Sequence, residues 1–145
     1  MFELVERLVS EFKTRDPFEI ARGLGILVLE EPLGSFNGYY NEVLDVQFIH
    51  VNCDLPDYQK RFVVAHELGH ALLHTGYNFN FLKNNTFFNV DRFEKEADKF
   101  AVLLLVDKIE HHQSIQEIAL LYGISEHAVK YLNEEATYYG FSECS

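Results

Sequence analysis

Fourteen residues, RFVVAHELGHALLH at 61–74, constrain this chain more than any other feature. On an α-helix, positions four apart lie about 40° apart around the axis and one turn along it. His66 and His70 therefore project from one face and can bind one metal ion. Glu67 sits about 100° round from His66. There it stands beside such an ion, placed to take a proton from water instead of coordinating, which is the HExxH arrangement of metalloproteases. Two histidines of an ordinary helix share this spacing, so a third ligand separates the readings. Zn²⁺ held by two imidazoles needs one more protein ligand and an open position for water.

The segment DRFEKEADKFAVLLL at 91–105 offers that ligand. Glu94 and Asp98 lie four apart on one helical face, so Glu94 can bind the metal while Asp98 fixes a ligating imidazole through its second nitrogen. Glu96 points elsewhere, about 200° from Glu94. Alone, the segment reads as a charged solvated face over a core stripe of Phe93, Ala97, Phe100, Ala101 and Leu104; beside HExxH, the metal reading prevails. His74 stands two turns, about 12 Å, beyond His66, too far to share one ion. It fits the lining of a cleft or a helix C-terminal cap. Tyr39, Tyr40, His50 and His74 are candidates for cleft lining or for donating to an oxyanion, and the sequence does not choose among them.

The remaining chain frames this centre. Phe2, Val5, Leu8, Val9 and Phe12 recur at helical spacing. Asp16-Pro17 supplies a cap and first residue for a second helix to about Gly23. ILVLEE from Ile26, FNGYYNEV and VQFIHVN then read as three strands, the last two around a turn near Leu44-Asp45. Helices are expected at 56–74 and 91–106, with a pair at 114–135 broken at Gly123, and residues 76–90 read as a long loop with an extended stretch at 86–89. The expected fold is α+β: a small three-stranded sheet packed on a helical HExxH core, minimal and zincin-like. The strand at Phe48 to Val51 reads equally well as a core strand or as a sheet edge that an extended substrate lengthens.

Composition narrows the function. At 145 residues, 48% hydrophobic, the chain suits one domain over 1–145. Twelve Lys+Arg against 23 Asp+Glu give a charge of -11, which argues against gripping phosphates or anionic lipid and suits a basic partner. Cys53 and Cys144 form neither a disulfide framework nor a CxxC knuckle, as in a reducing compartment. The N-terminus lacks the pattern of a secretory leader, and the longest purely apolar run, Ala101 to Val106, is too short to span a bilayer. A cytoplasmic location without membrane contact is expected.

With these residues in view, the sequence resembles the ImmA/IrrE metallopeptidases, gluzincin-like enzymes of bacteria, prophages and mobile elements. The resemblance rests on FNGYY at 36–40, FIHVN at 48–52, RFVVAHELGHALLH at 61–74 and FEKEADKFAVLLL at 93–105. It implies His66, His70 and Glu94 as ligands of one Zn²⁺, Glu67 as the catalytic carboxylate and Asp98 as the outer partner of a histidine. His₂Glu also accepts Mn²⁺, Fe²⁺ or Co²⁺. The implied activity is a zinc-dependent endopeptidase cleaving a cognate phage or mobile-element repressor. Many relatives follow the leucines after 105 with Met-Pro, where this chain has Val106-Asp107, which leaves the helix end open. Some also carry a fused helix-turn-helix domain; without one here, the expected repressor is a separate helix-turn-helix protein.

Two rival functions share these residues. One is a non-proteolytic metal-containing protein that sequesters a repressor or acts in a toxin-antitoxin pair. The other is direct DNA binding through SIQEIALLYGISEHAVKYL at 114–132, which has a helix-turn-helix pattern. Charge opposes the second, because residues 107–145 hold two Lys and no Arg against seven acidic residues. A helix pair that covers the core is the expected reading of this segment.

Overall fold

The computed structural model describes residues 1–74, 90–107 and 113–134. Of the loop expected over 76–90, residues 76–89 with the extended stretch at 86–89 lie outside the described residues, as do the 137–145 tail and Cys144, while Val90 already begins a helix. Within them the order is α1 (Phe2–Phe12), α2 (Pro17–Gly23), β1 (Leu27–Glu31), β2 (Gly38–Val43), β3 (Val46–Asn52), α3 (Asp57–Leu73), α4 (Val90–Leu105), α5 (Ile115–Tyr122) and α6 (Glu126–Glu134). This is the expected α+β architecture: among the described residues, six helices and one three-stranded mixed sheet. No described helix is long and apolar enough to cross a membrane.

Local chemistry sets most boundaries. Asp16 Oδ1 accepts from the Phe18 N–H at 3.0 Å, with Pro17 opening α2, so one otherwise unpaired N–H of the first turn is satisfied. β2 and β3 form an antiparallel hairpin. Its two turn residues, Leu44 (φ 50°) and Asp45 (φ 66°), are both left-handed, the twist that suits a two-residue hairpin loop. Ser114 accepts from the Glu117 N–H at 3.0 Å to start α5, and left-handed Gly123 ends it.

The sheet order is β1-β3-β2, with β1 parallel to β3. The edge reading of Phe48 to Val51 is thereby corrected: β3 is paired on both sides, and among the described residues β1 and β2 are the outer strands. The cause is a crossing loop. Residues 32–37 pass over the end of β3, where buried Asn52 donates to the carbonyls of Gly34 and Phe36 at 3.1 and 3.0 Å. The Asn52 N–H also reaches the Asn37 carbonyl at 2.8 Å. These bonds carry the chain from one side of β3 to the other.

Ile49 and Val51, both fully buried, face α3, whereas alternate side chains such as His50 point to the opposite face. α3 in turn packs along α4. A methyl group on Gly69 would lie 3.1 Å from the Phe100 ring and 3.3 Å from Ala97 Cα, so glycine is what lets the two helices meet. The end of α4 is set from outside. Arg15 donates to the carbonyls of Leu103 and Leu104 at 3.2 and 3.0 Å and pairs with Asp107. A cation on terminal carbonyls stops α4 at Leu105 without Met-Pro. Ala128, Val129 and Leu132 of α6 are buried, and α6 packs on α4.

Candidate metal centre

Two adjacent turns of α3 and the first half of α4 build the site. His66 Nε2 and His70 Nε2 lie 3.1 Å apart, with their rings edge to face. Glu94 spans them: Oε2 is 3.1 Å from His66 Nε2 and Oε1 is 3.1 Å from His70 Nε2. With one atom from each residue, the three donors lie within 4.8 Å of one another, and no other such cluster occurs among the described residues.

The donor set fits a divalent ion. Zn–N and Zn–O distances of about 2.0–2.2 Å place tetrahedral donors about 3.3 Å apart, close to the separations found. Each Nε2 must also present a lone pair, so each imidazole proton must reside on Nδ1. His66 Nδ1 donates to Asp98 Oδ1 at 2.7 Å. His70 Nδ1 faces His74 Nδ1 at 3.0 Å.

Charge is concentrated here. Burial opposes protonation of His66, but hydrogen bonds to Asp98 and Glu94 and the nearby Glu67 carboxylate outweigh it and push its pKa up to about 10. Burial lowers that of His70, against the pull of Glu94 and with the added repulsion of His66. Hydrogen bonds from His66 and His70 hold the Glu94 carboxyl well below its ordinary value. Without metal, these interactions favour a proton on His66 over one on His70 and favour the ionised form of Glu94. Glu67 is nearly buried on the turn between the two histidines.

The structure gathers His66, His70, Glu94 and Asp98 as the sequence pattern placed them, with Glu67 alongside. Tyr39 and His50 stack 4.2 Å apart on the sheet face turned away from α3, and His50 bonds Glu31 and Asn41 at 2.5 and 2.9 Å. By strand alternation this pair lies on the face opposite Ile49 and Val51, which face α3. Tyr40 faces α3 but is half-buried, its hydroxyl accepting from Gln47 Nε2 at 2.9 Å. His74 caps α3 and is 2% exposed, inside the protein rather than in a cleft.

Sequence reasoning missed Glu96. It does point away from Glu94, yet it accepts from His74 Nε2 at 2.9 Å and from Arg92 Nε at 3.0 Å. The available signal was a histidine one turn after the second ligand, which needs a partner once buried.

The family model described as the IrrE N-terminal-like domain, peptidase family M78, matches residues 21–133, a span that contains both helices of the centre. The chain belongs to the ImmA/IrrE metallopeptidase family. Among ImmA/IrrE-related proteins, "Uncharacterized immunity region protein 2" of Bacillus phage phi105 is 36% identical over 127 residues, covering 83% of this chain and 80% of that protein. "Metallopeptidase ImmA" of Bacillus subtilis (strain 168) is 34% identical over 108 residues, 72% of this chain and 63% of ImmA's length. Membership in a metallopeptidase family implies a divalent metal, and the His66, His70 and Glu94 cluster is a place for it.

Proposed function

We propose that this ImmA/IrrE family member is a zinc-dependent endopeptidase that cleaves a transcriptional repressor of the phage or mobile-element type. The observation that carries the reading is the convergence of His66 Nε2, His70 Nε2 and Glu94 beside a nearly buried Glu67. The names of the two relatives, an immunity region protein and a metallopeptidase, support the setting.

His66, His70 and Glu94 hold one ion, with Zn²⁺ the best match to two imidazoles and a carboxylate. When bound, that ion lowers the pKa of water towards about 7 and polarises the scissile carbonyl. Glu67 accepts the proton of the attacking water and passes it to the leaving amine. Asp98 keeps the His66 proton on Nδ1, and a fixed ring orientation follows. The substrate segment is extended or looped, since a peptide bond held in a helix has no free backbone to present. The partner is a separate, basic helix-turn-helix protein in the cytoplasm, and this chain contacts neither DNA nor membrane. Its charge of -11 favours approach to such a partner.

Co-expression with the repressor encoded beside it tests the reading. Loss of full-length repressor with the appearance of fragments is expected with wild type and not with Glu67→Gln. Repressor inactivated without fragments by both proteins would replace proteolysis with sequestration. Fragments produced by the Glu67→Gln protein would remove Glu67 from the mechanism.

A further inference from the structure

His74 occupies the C-cap of α3, one turn beyond His70, and is almost fully buried. Its ring meets Phe93 edge-on at 4.5 Å. Both ring nitrogens are engaged: Nδ1 lies 3.0 Å from His70 Nδ1, and Nε2 lies 2.9 Å from Glu96 Oε2. The other Glu96 oxygen accepts from Arg92 Nε at 3.0 Å. Four side chains thus form one line ending at a proposed metal ligand.

We propose that His74 is a positioning residue for the metal centre: anchored by Glu96, it fixes the proton of His70 on Nδ1 and thereby directs the His70 Nε2 lone pair at the ion. The proposal rests on the reading of His66, His70 and Glu94 as the metal ligands. A neutral imidazole has one N–H and one lone pair, so two Nδ1 atoms facing each other bond only when one donates and the other accepts. A carboxylate paired with Arg92 accepts, which puts the His74 proton on Nε2 and leaves a lone pair on His74 Nδ1. His70 must then donate from Nδ1. The opposite tautomer of His74 would set N–H against N–H at 3.0 Å or turn the His70 proton towards the ion.

The two ligand histidines are thereby held by different means. Asp98 reaches His66 directly, whereas Glu96 bonds His74 Nε2 and acts on His70 through that interposed imidazole. Such outer partners are worth about 10–100-fold in metal affinity. Phe93 and the burial of the ring keep His74 in one orientation, so the line has a single geometry to impose.

The test uses the full chain and zinc itself. Long-range proton–nitrogen spectra of the wild type should show His70 protonated on Nδ1 and His74 on Nε2; the opposite tautomers would overturn the proposal. In competition with a chromogenic chelator, His74→Phe, which keeps a ring against Phe93, should bind zinc about 10–100-fold more weakly. His74→Asn, whose carboxamide oxygen replaces the Nδ1 acceptor, should recover most of that loss. A His74→Asn protein as weak as His74→Phe would make the residue merely structural and overturn the proposal. Should His74→Phe fail to fold, Glu96→Leu, which removes the acceptor for His74 Nε2, carries the same test: unchanged affinity overturns the proposal, and weakened affinity supports it. Wild-type affinity retained in every variant removes the positioning role and leaves the ligand assignment standing, whereas a wild type that binds no zinc removes both.

Discussion

Gly69 on α3 and Phe100 on α4 approach so closely that a methyl group on Gly69 would meet the Phe100 ring at 3.1 Å and its Cβ at 3.2 Å. Since α3 carries His66 and His70 and α4 carries Glu94, this contact sets the spacing of the metal centre. Gly69→Ala has to part the helices by a few tenths of an ångström. Overpacking costs about 1–3 kcal/mol, and removal of a helical glycine returns up to about 1 kcal/mol. A net loss of about 1 kcal/mol is expected in thermal melts, with weaker zinc binding. A more stable variant with unchanged affinity would separate the contact from the site.

Asp98 holds His66 Nδ1 at 2.7 Å. Asp98→Ala leaves that N–H without its partner and frees the ring, so zinc affinity should fall by about 10–100-fold. Asp98→Asn retains an acceptor oxygen and should lose less. Chelator competition reads both. Equal affinities in all three proteins would leave Asp98 no role in holding the ligand.

The metal-free protein should depend on pH in a defined window. The His66 pKa rises from 6.5 to about 10 on folding, so its contribution to stability is fully present below pH 6.5 and is lost as pH rises through about 10. The Glu94 carboxyl is lowered from 4.5, so its contribution is present above pH 4.5 and is lost as pH falls. Melts in chelator should therefore be highest between about pH 4.5 and 6.5 as far as these two groups decide. Zinc must displace the His66 proton, so apparent affinity should rise with pH, by about tenfold per unit between pH 6 and 8. A flat affinity over that range would place the proton elsewhere.

The β2–β3 turn stores strain away from the chemistry. Leu44 is 92% exposed and left-handed, as is Asp45. Asn-Gly is preferred at such a turn because both residues tolerate positive φ. Leu44→Asn with Asp45→Gly should stabilise the protein by about 1 kcal/mol, raising Tm by about 2–4 °C, with zinc affinity unchanged. A lowered Tm would mean that the turn is not the strained element.

How far the sequence was legible follows from the range of each interaction. The pairing of His66 with His70, and of Glu94 with Asp98, is periodicity within one helix, and the β2–β3 hairpin joins neighbours in the chain. The central place of β3 is different. It depends on Asn52 catching a loop that passes 16 and 18 residues earlier, and strand patterns carry no such information. Glu96 eluded the helical wheel for a related reason. The α3–α4 seam runs along Ala97 and Phe100, with Glu94 and Asp98 on one flank and Glu96 on the other. Only the docking of α3 brings His74 to that second flank. Tyr39 and His50 lie on the face away from α3 because β3 alternates, and the buried side chains Ile49 and Val51 claim the face towards α3.

Zinc titration of the purified, metal-stripped chain, read by chelator competition for wild type, Glu67→Gln and Glu94→Ala, tests the account at its centre. One tightly bound ion per chain is expected in wild type and in Glu67→Gln, and a loss of binding of at least about 100-fold in Glu94→Ala. Undiminished binding by Glu94→Ala, or none by wild type, would contradict the assignment of His66, His70 and Glu94 as the metal centre.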